Sequence, residues 1–144
     1  MIRSFRPASA SKGFTLVEVL VTVVIFSVGL LGLAGLQATG IKLNHSSLIR
    51  SQANLLAYDI IDCMRVNRSN VADYAVAVSA APPSSPTTLA DSDLALWLGN
   101  LAAALPSGDG SVTLNGNRAT VLVQWDDARN PSVPLTTMTV ISEI

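Results

Sequence analysis

A single cysteine, Cys63, and a single histidine, His45, limit the chemistry open to this chain before any motif is considered. One cysteine excludes an intramolecular disulfide, so the fold must hold by packing. The histidine lies in a helical stretch just beyond a long apolar run, and alone it gives no basis for a His-based triad or a multi-histidine metal site. Beyond residue 68 the only basic residues are Arg118 and Arg129, too few for a stripe that tracks phosphates, so no nucleic-acid partner is expected. Gly108 and Gly110 have neither the lysine nor the following helix of a phosphate-cradling loop. These gaps point away from an enzyme and from any cofactor or metal. Asp109, Asp126 and Asp127 could offer oxygen ligands to a hard cation, but adjacent acids at a strand end read more simply as a solvated turn.

What the chain does contain is concentrated near its start. From Val19 to Ile41 there are 23 residues without a formal charge, which as a helix would cover roughly 35 Å against a hydrocarbon core of about 30 Å. Glu18 stands at the entrance to that run, where an unpaired acid is expensive and an ionisable group is a functional candidate. Arg3, Arg6 and Lys12 precede it with no acid among the first 13 residues, a bias that keeps this end in the cytoplasm and exports the rest. An ordinary secretory signal would have an apolar region of about 7 to 15 residues and a small-x-small site after it; no such site follows Leu36. A plain single-pass anchor accounts for the length but not for the order of residues at its start.

That order, Lys12-Gly13-Phe14-Thr15-Leu16-Val17-Glu18 with Leu20 beyond, resembles the type IV prepilin signal. The resemblance implies that a prepilin peptidase cuts after Gly13 on the cytoplasmic side, with Lys12 as the basic residue before the cut, and that the new N-terminal Phe14 is N-methylated. Phe14 would then carry a cationic amine with the Glu18 carboxylate one helical turn later, able to pair within a subunit or with a neighbour's terminus. In the family the neighbour pairing sets axial register during assembly. Loss of the leader would leave 131 residues with six basic against ten acidic side chains.

The apolar period continues past the membrane-length run. Ile49, Ala53, Leu56, Ile60 and Cys63 or Met64 recur at spacings of three and four, and Ile41, Leu48 and Leu55 lie seven apart, so one helix is expected from Phe14 to about Asn67, roughly 80 Å long. Its first half, residues 14–36, would be clothed in lipid or form a filament core, and residues 37–68 would be amphipathic. Cys63 falls among the apolar positions and reads as a small buried hydrophobe. Gly29, Gly32, Gly35 and Gly40 thin the first part, either for close helix approach or for local loosening; family members often carry a helix-breaking proline where this chain has Gly35, which favours loosening.

Residues 69–92 change character, and their Ala81-Pro82-Pro83-Ser84-Ser85-Pro86 core reads as an extended surface loop. Asp91, Ser92 and Asp93 are N-cap candidates for a short amphipathic helix through Leu94, Trp97, Leu98, Leu101 and Leu105, closed by Pro106 and Gly108. Trp97 reads as a core anchor. Three strands follow at 111–114, 119–126 and 135–142, with Asn115-Gly116 marking the first turn. In the middle strand Val121, Val123 and Trp125 alternate with Leu122, Gln124 and Asp126, so one side should pack on the long helix. The loop over 127–134 is long enough to reach a partner. The expected architecture is α+β and pilin-like: a leader over 1–13, one long N-terminal helix, and a globular region over 69–144 with a small antiparallel sheet and a short second helix.

The resemblance extends past the leader. The stretch from Leu55 to Asn67, closing on Met64-Arg65-Val66-Asn67, is similar to the helix of the type IV pilus modification protein PilV family. Leu94 to Trp97, Leu105-Pro106-x-Gly108-x-Gly110-x-Val112 and Val123-x-Trp125-Asp126 then recur in order. This implies a low-abundance minor pilin that joins other minor pilins and the major pilin at an inner-membrane assembly platform. There it would prime pilus assembly, sit near the tip and support surface piliation and twitching motility. Two alternatives share the leader: a pseudopilin of a type II secretion system, and a tip adhesin. The acidic exported part speaks against direct DNA capture.

Overall fold

The computed structural model describes residues 13–127 and 132–144. Two compact units divide the chain, Met1–Lys42 and Leu43–Ile144. Helix α1 runs over Leu16–Val66, a short 3-10 helix over Arg68–Tyr74, helix α2 over Leu89–Ala104, and strands β1, β2 and β3 over Asp109–Asn115, Arg118–Trp125 and Thr136–Glu143. One long N-terminal helix, a three-stranded antiparallel sheet and a second helix make the pilin-like α+β fold expected from the sequence.

Within the second unit, α1 buries Ile49, Ala53, Ala57, Ile60, Ile61 and Met64, a spacing of three and four that holds one face of a helix to one surface. Ala53 and Ala57 in the middle of that face keep the helix surface low. Trp97 of α2 uses the space: its ring is 1% exposed and its indole N–H donates to the Leu56 carbonyl at 2.9 Å. The series Ile41, Leu48 and Leu55 behaves otherwise, being 69%, 56% and 70% exposed. A spacing of seven keeps residues on one side of a helix but does not say which side, and here the shorter intervals mark the buried one.

The sheet order is β1-β2-β3. Its inner face is built in rows across the register: Gly110, Val123 and Met138; Val112, Val121 and Val140; Leu114, Ala119 and Ser142. Ala119, Val121, Val123 and Trp125 are buried, while Thr120, Leu122 and Gln124 between them are only partly so and Arg118 is exposed, the alternation expected of a half-covered sheet. These residues share one core with the buried face of α1 and with Leu94, Trp97 and Leu101 of α2. The β1–β2 turn has Gly116 and Asn117 at its centre, with positive φ at Gly116 (58°) and not at Asn117. That is the pattern of a II′ hairpin, whose twist suits the flanking strands. The strands fall within one or two residues of the expected bounds: β1 begins two residues earlier and ends one later, β2 begins and ends one earlier, and β3 begins and ends one later.

Between α1 and the sheet one expectation holds and one needs correction. Residues 81–86 form the expected loop, without helix or strand and largely exposed; ahead of it the chain leaves α1 into the 3-10 helix, buries Tyr74 and then pairs Val76 with Val112 of β1. Helix α2 starts earlier than Asp91–Asp93 suggests. Its N-cap is Thr88, whose hydroxyl accepts from the Asp91 N–H while the Asp91 carboxylate accepts from the Thr88 N–H, a capping box. Asp91 is therefore the third helical residue, not the cap, because threonine at the cap and an acid three residues later satisfy two free backbone donors at once.

Candidate functional site

The first unit is helix from Leu16 onward, and its start is set locally. Thr15 Oγ1 accepts a hydrogen bond from the Glu18 N–H at 3.2 Å, so Thr15 acts as the cap and places Glu18 in the first turn, where the helix dipole favours a negative charge. Phe14 and Glu18 line the same shallow groove with Val19, Thr22 and Val23. Phe14 is 84% exposed, and Glu18 and the following apolar residues are exposed as well. Gly13 precedes them in non-helical backbone, an exposed approach to the Gly13–Phe14 bond. Lys12, Arg3 and Arg6 lie outside the described residues.

The apolar stretch is long and apolar enough to cross a membrane, and its most hydrophobic window has none of its residues buried. Its hydroxyls are nevertheless satisfied. Thr22 Oγ1 donates to the Glu18 carbonyl at 2.7 Å, Ser27 Oγ to the Val23 carbonyl at 2.7 Å, and Thr39 Oγ1 to the Gly35 carbonyl at 3.1 Å. Each side chain thus hides its proton against the preceding turn, which a hydrocarbon environment demands. Composition alone shows these residues as polar interruptions. The capping role of Thr15 has a signal in the sequence, the Thr-x-x-Glu spacing, which a reading of Glu18 as a membrane acid passes over.

Residues 8–34 match the prokaryotic N-terminal methylation motif. This N-terminal methylation motif spans the approach to Gly13, the Phe14–Glu18 turn and much of the apolar helix. It supports a type IV pilin-like protein that is a prepilin-peptidase substrate, and the one apolar N-terminal helix fits an inner-membrane anchored pilin. The motif ends within the first unit. No curated protein and no solved structure matches the chain.

In the second unit the acidic groups Asp127 and Asp109 are engaged in the fold. Asp127 accepts from Ser46 Oγ at 2.8 Å, and Asp109 accepts from the backbone N–H groups of Ser79 and Gly110, each at 2.7 Å. Among the described residues no group of three or more His, Cys, Asp and Glu side chains could hold a metal ion. Residues 128–131 of the 127–134 loop lie outside the described residues. Arg65 meets Asp62, three residues earlier on α1, at 2.9 Å and also donates to Ser142 of β3 at 2.9 Å, so this helix pair also ties α1 to the sheet.

Tyr74, wholly buried, donates its hydroxyl to Asp93 on α2. Burial first, and then this bond to a carboxylate, push the Tyr74 hydroxyl up from 10.0 to about 12. Cys63 is partly buried, and its thiol is also pushed up, first by desolvation and then by the carboxylates of Asp93, Asp59 and Asp62. A raised thiol pKa removes the thiolate that a nucleophile or metal ligand needs.

Proposed function

We propose that this chain is a minor pilin of the type IV pilus, of the PilV kind, acting by assembly and not by catalysis. Prepilin peptidase cuts between Gly13 and Phe14 and the Phe14 amine is methylated. The Glu18 carboxylate then sets axial register by pairing with a neighbouring subunit's N-terminal amine. The second unit, exported to the periplasm, meets other minor pilins and the major pilin at the inner-membrane platform, primes the fibre and supports twitching and surface adhesion. The observation that carries this reading is the placement of Phe14, just before the helix, and Glu18, in its first turn, on one exposed groove inside the methylation motif. A cationic terminus and an acid so placed are complementary in a medium where neither can remain alone.

The test is the intact mass and N-terminal sequence of the membrane-extracted protein, made with and without a prepilin peptidase. Peptidase-dependent loss of residues 1–13 with a methylated Phe14 is expected; an uncut chain in both preparations overturns the reading. Glu18→Ala is expected to leave the processed protein stable in the membrane yet poorly incorporated, and normal incorporation would remove the register role. A deletion that abolishes protein secretion while sparing twitching would assign the chain to a type II secretion machine instead.

A further inference from the structure

The two edges of the sheet are treated differently. On the β1 side, Val76 N–H donates to the Val112 carbonyl at 3.0 Å and Val112 N–H to the Val76 carbonyl at 2.9 Å. Ser79 N–H is bonded to the Asp109 side chain beside them. On the β3 side, no described residue pairs with the outer edge. Soluble sheets usually blunt such an edge with lysine, proline, a bulge or short length. β3 has eight residues, no lysine and no proline, and eight consecutive pairs with β2 without a bulge.

Beside this open edge is a groove of roughly 370 Å³ between α1 and β3, lined by Ser47, Arg50, Ser51, Asn54 and Met138. Arg50 is exposed and makes no ion pair or hydrogen bond among the described residues. A strand added along β3 would project every second side chain to the side of Met138, into this groove and toward the guanidinium. A second copy of this chain does not supply that side chain. Paired through its own β3, a second copy would present Thr136, Met138, Val140 and Ser142 on the α1 side, none of them a carboxylate to face Arg50.

We propose that the β3 edge receives an extended segment of another protein as a fourth strand, with a carboxylate on its inward face opposite Arg50. The ladder supplies affinity without regard to sequence, and the groove supplies specificity. This inference stands independently of the proposed function, since it uses only the second unit.

The test uses the full-length protein in detergent micelles and a synthetic ten-residue peptide of alternating Thr and Val with one central Glu on the Val side. Amide hydrogen exchange maps the site and fluorescence anisotropy gives affinity. The Glu peptide is expected to slow exchange over residues 136–143 and to bind about ten-fold more tightly than its Lys counterpart. Arg50→Glu should reverse that order with an unchanged near-ultraviolet spectrum, and a peptide N-methylated at alternate amides on its pairing edge should not bind. Protection elsewhere, or equal binding of Glu and Lys peptides, overturns the proposal. So does β3 protection that rises with protein concentration in the absence of peptide, which would mean that a second copy fills the edge.

Discussion

Gly110 is where the packing of α2 on the sheet can be tested with one carbon atom. A Cβ built there would stand 2.5 Å from Trp97 Cη2, 2.9 Å from Leu101 Cδ1 and 3.0 Å from the Leu122 carbonyl oxygen. Leu101 can turn away, but the Leu122 carbonyl is backbone and Trp97 is held by its bond to the Leu56 carbonyl. Relief must therefore come from moving the indole, which strains that bond. Overpacking of this kind costs about 1–3 kcal/mol, and a lost hydrogen bond about 1 kcal/mol more. The lower entropy of unfolded alanine offsets roughly 0.4–1 kcal/mol. Gly110→Ala should thus lose about 1–3.5 kcal/mol net, several degrees in melting temperature for a unit of this size. Gly99 is the internal control: it lies in α2, and an alanine methyl there would meet nothing within 4 Å, so Gly99→Ala should gain up to about 1 kcal/mol from helix propensity. Both are read by near-ultraviolet circular dichroism of Trp97 and Trp125 during heating of the full-length protein in detergent. Equal stability of Gly110→Ala and the parent, or a matching loss in Gly99→Ala, would refute the packing argument.

Tyr74 gives a pH prediction. Its hydroxyl ionises at 10.0 when unfolded and at about 12 in the fold, so the unfolded state loses its proton first. Stability is complete below pH 10 and falls as pH rises toward about 12; Tyr74→Phe should flatten that slope, and an unchanged alkaline profile would count against the Tyr74–Asp93 bond. Thr88→Ala removes the cap of α2 and should cost about 1 kcal/mol, measured by denaturant midpoint, whereas Thr88→Ser should recover most of it. Alkylation of Cys63 by iodoacetamide at pH 8 should be much slower in the folded protein than after denaturation, because burial and three carboxylates disfavour its thiolate; equal rates would show the thiol to be open.

The parts of the fold legible in the sequence are those written in short-range pattern. The apolar spacing of Ile49, Ala53 and Ile60, the alternation of Val121, Val123 and Trp125, and the glycine at the first turn each encode local geometry, and each is met in the structure. Leu48 and Leu55 mislead because heptad spacing defines a stripe without naming what covers it. The start of α2 is obscured by three consecutive capping residues, Asp91, Ser92 and Asp93, and only the reciprocal bonds single out Thr88. Burial of Tyr74 depends on Asp93, nineteen residues away, and no local period signals such a pair. At the candidate site the methylation motif is legible because its residues are contiguous. The groove at β3 is not, because Arg50 and Met138 come from opposite ends of the second unit.

The bonded hydroxyls of Thr22, Ser27 and Thr39 change what a lipid chain would meet. With each proton turned back onto a carbonyl, the surface offered at those positions is methyl and methylene, so a threonine there is nearer to valine than its place on a polarity scale suggests. Thr22→Val and Thr39→Val are then silent exchanges for insertion, while asparagine at the same positions brings an amide that the preceding turn cannot fully satisfy. The tolerance of this helix to substitution follows proton placement, not polarity.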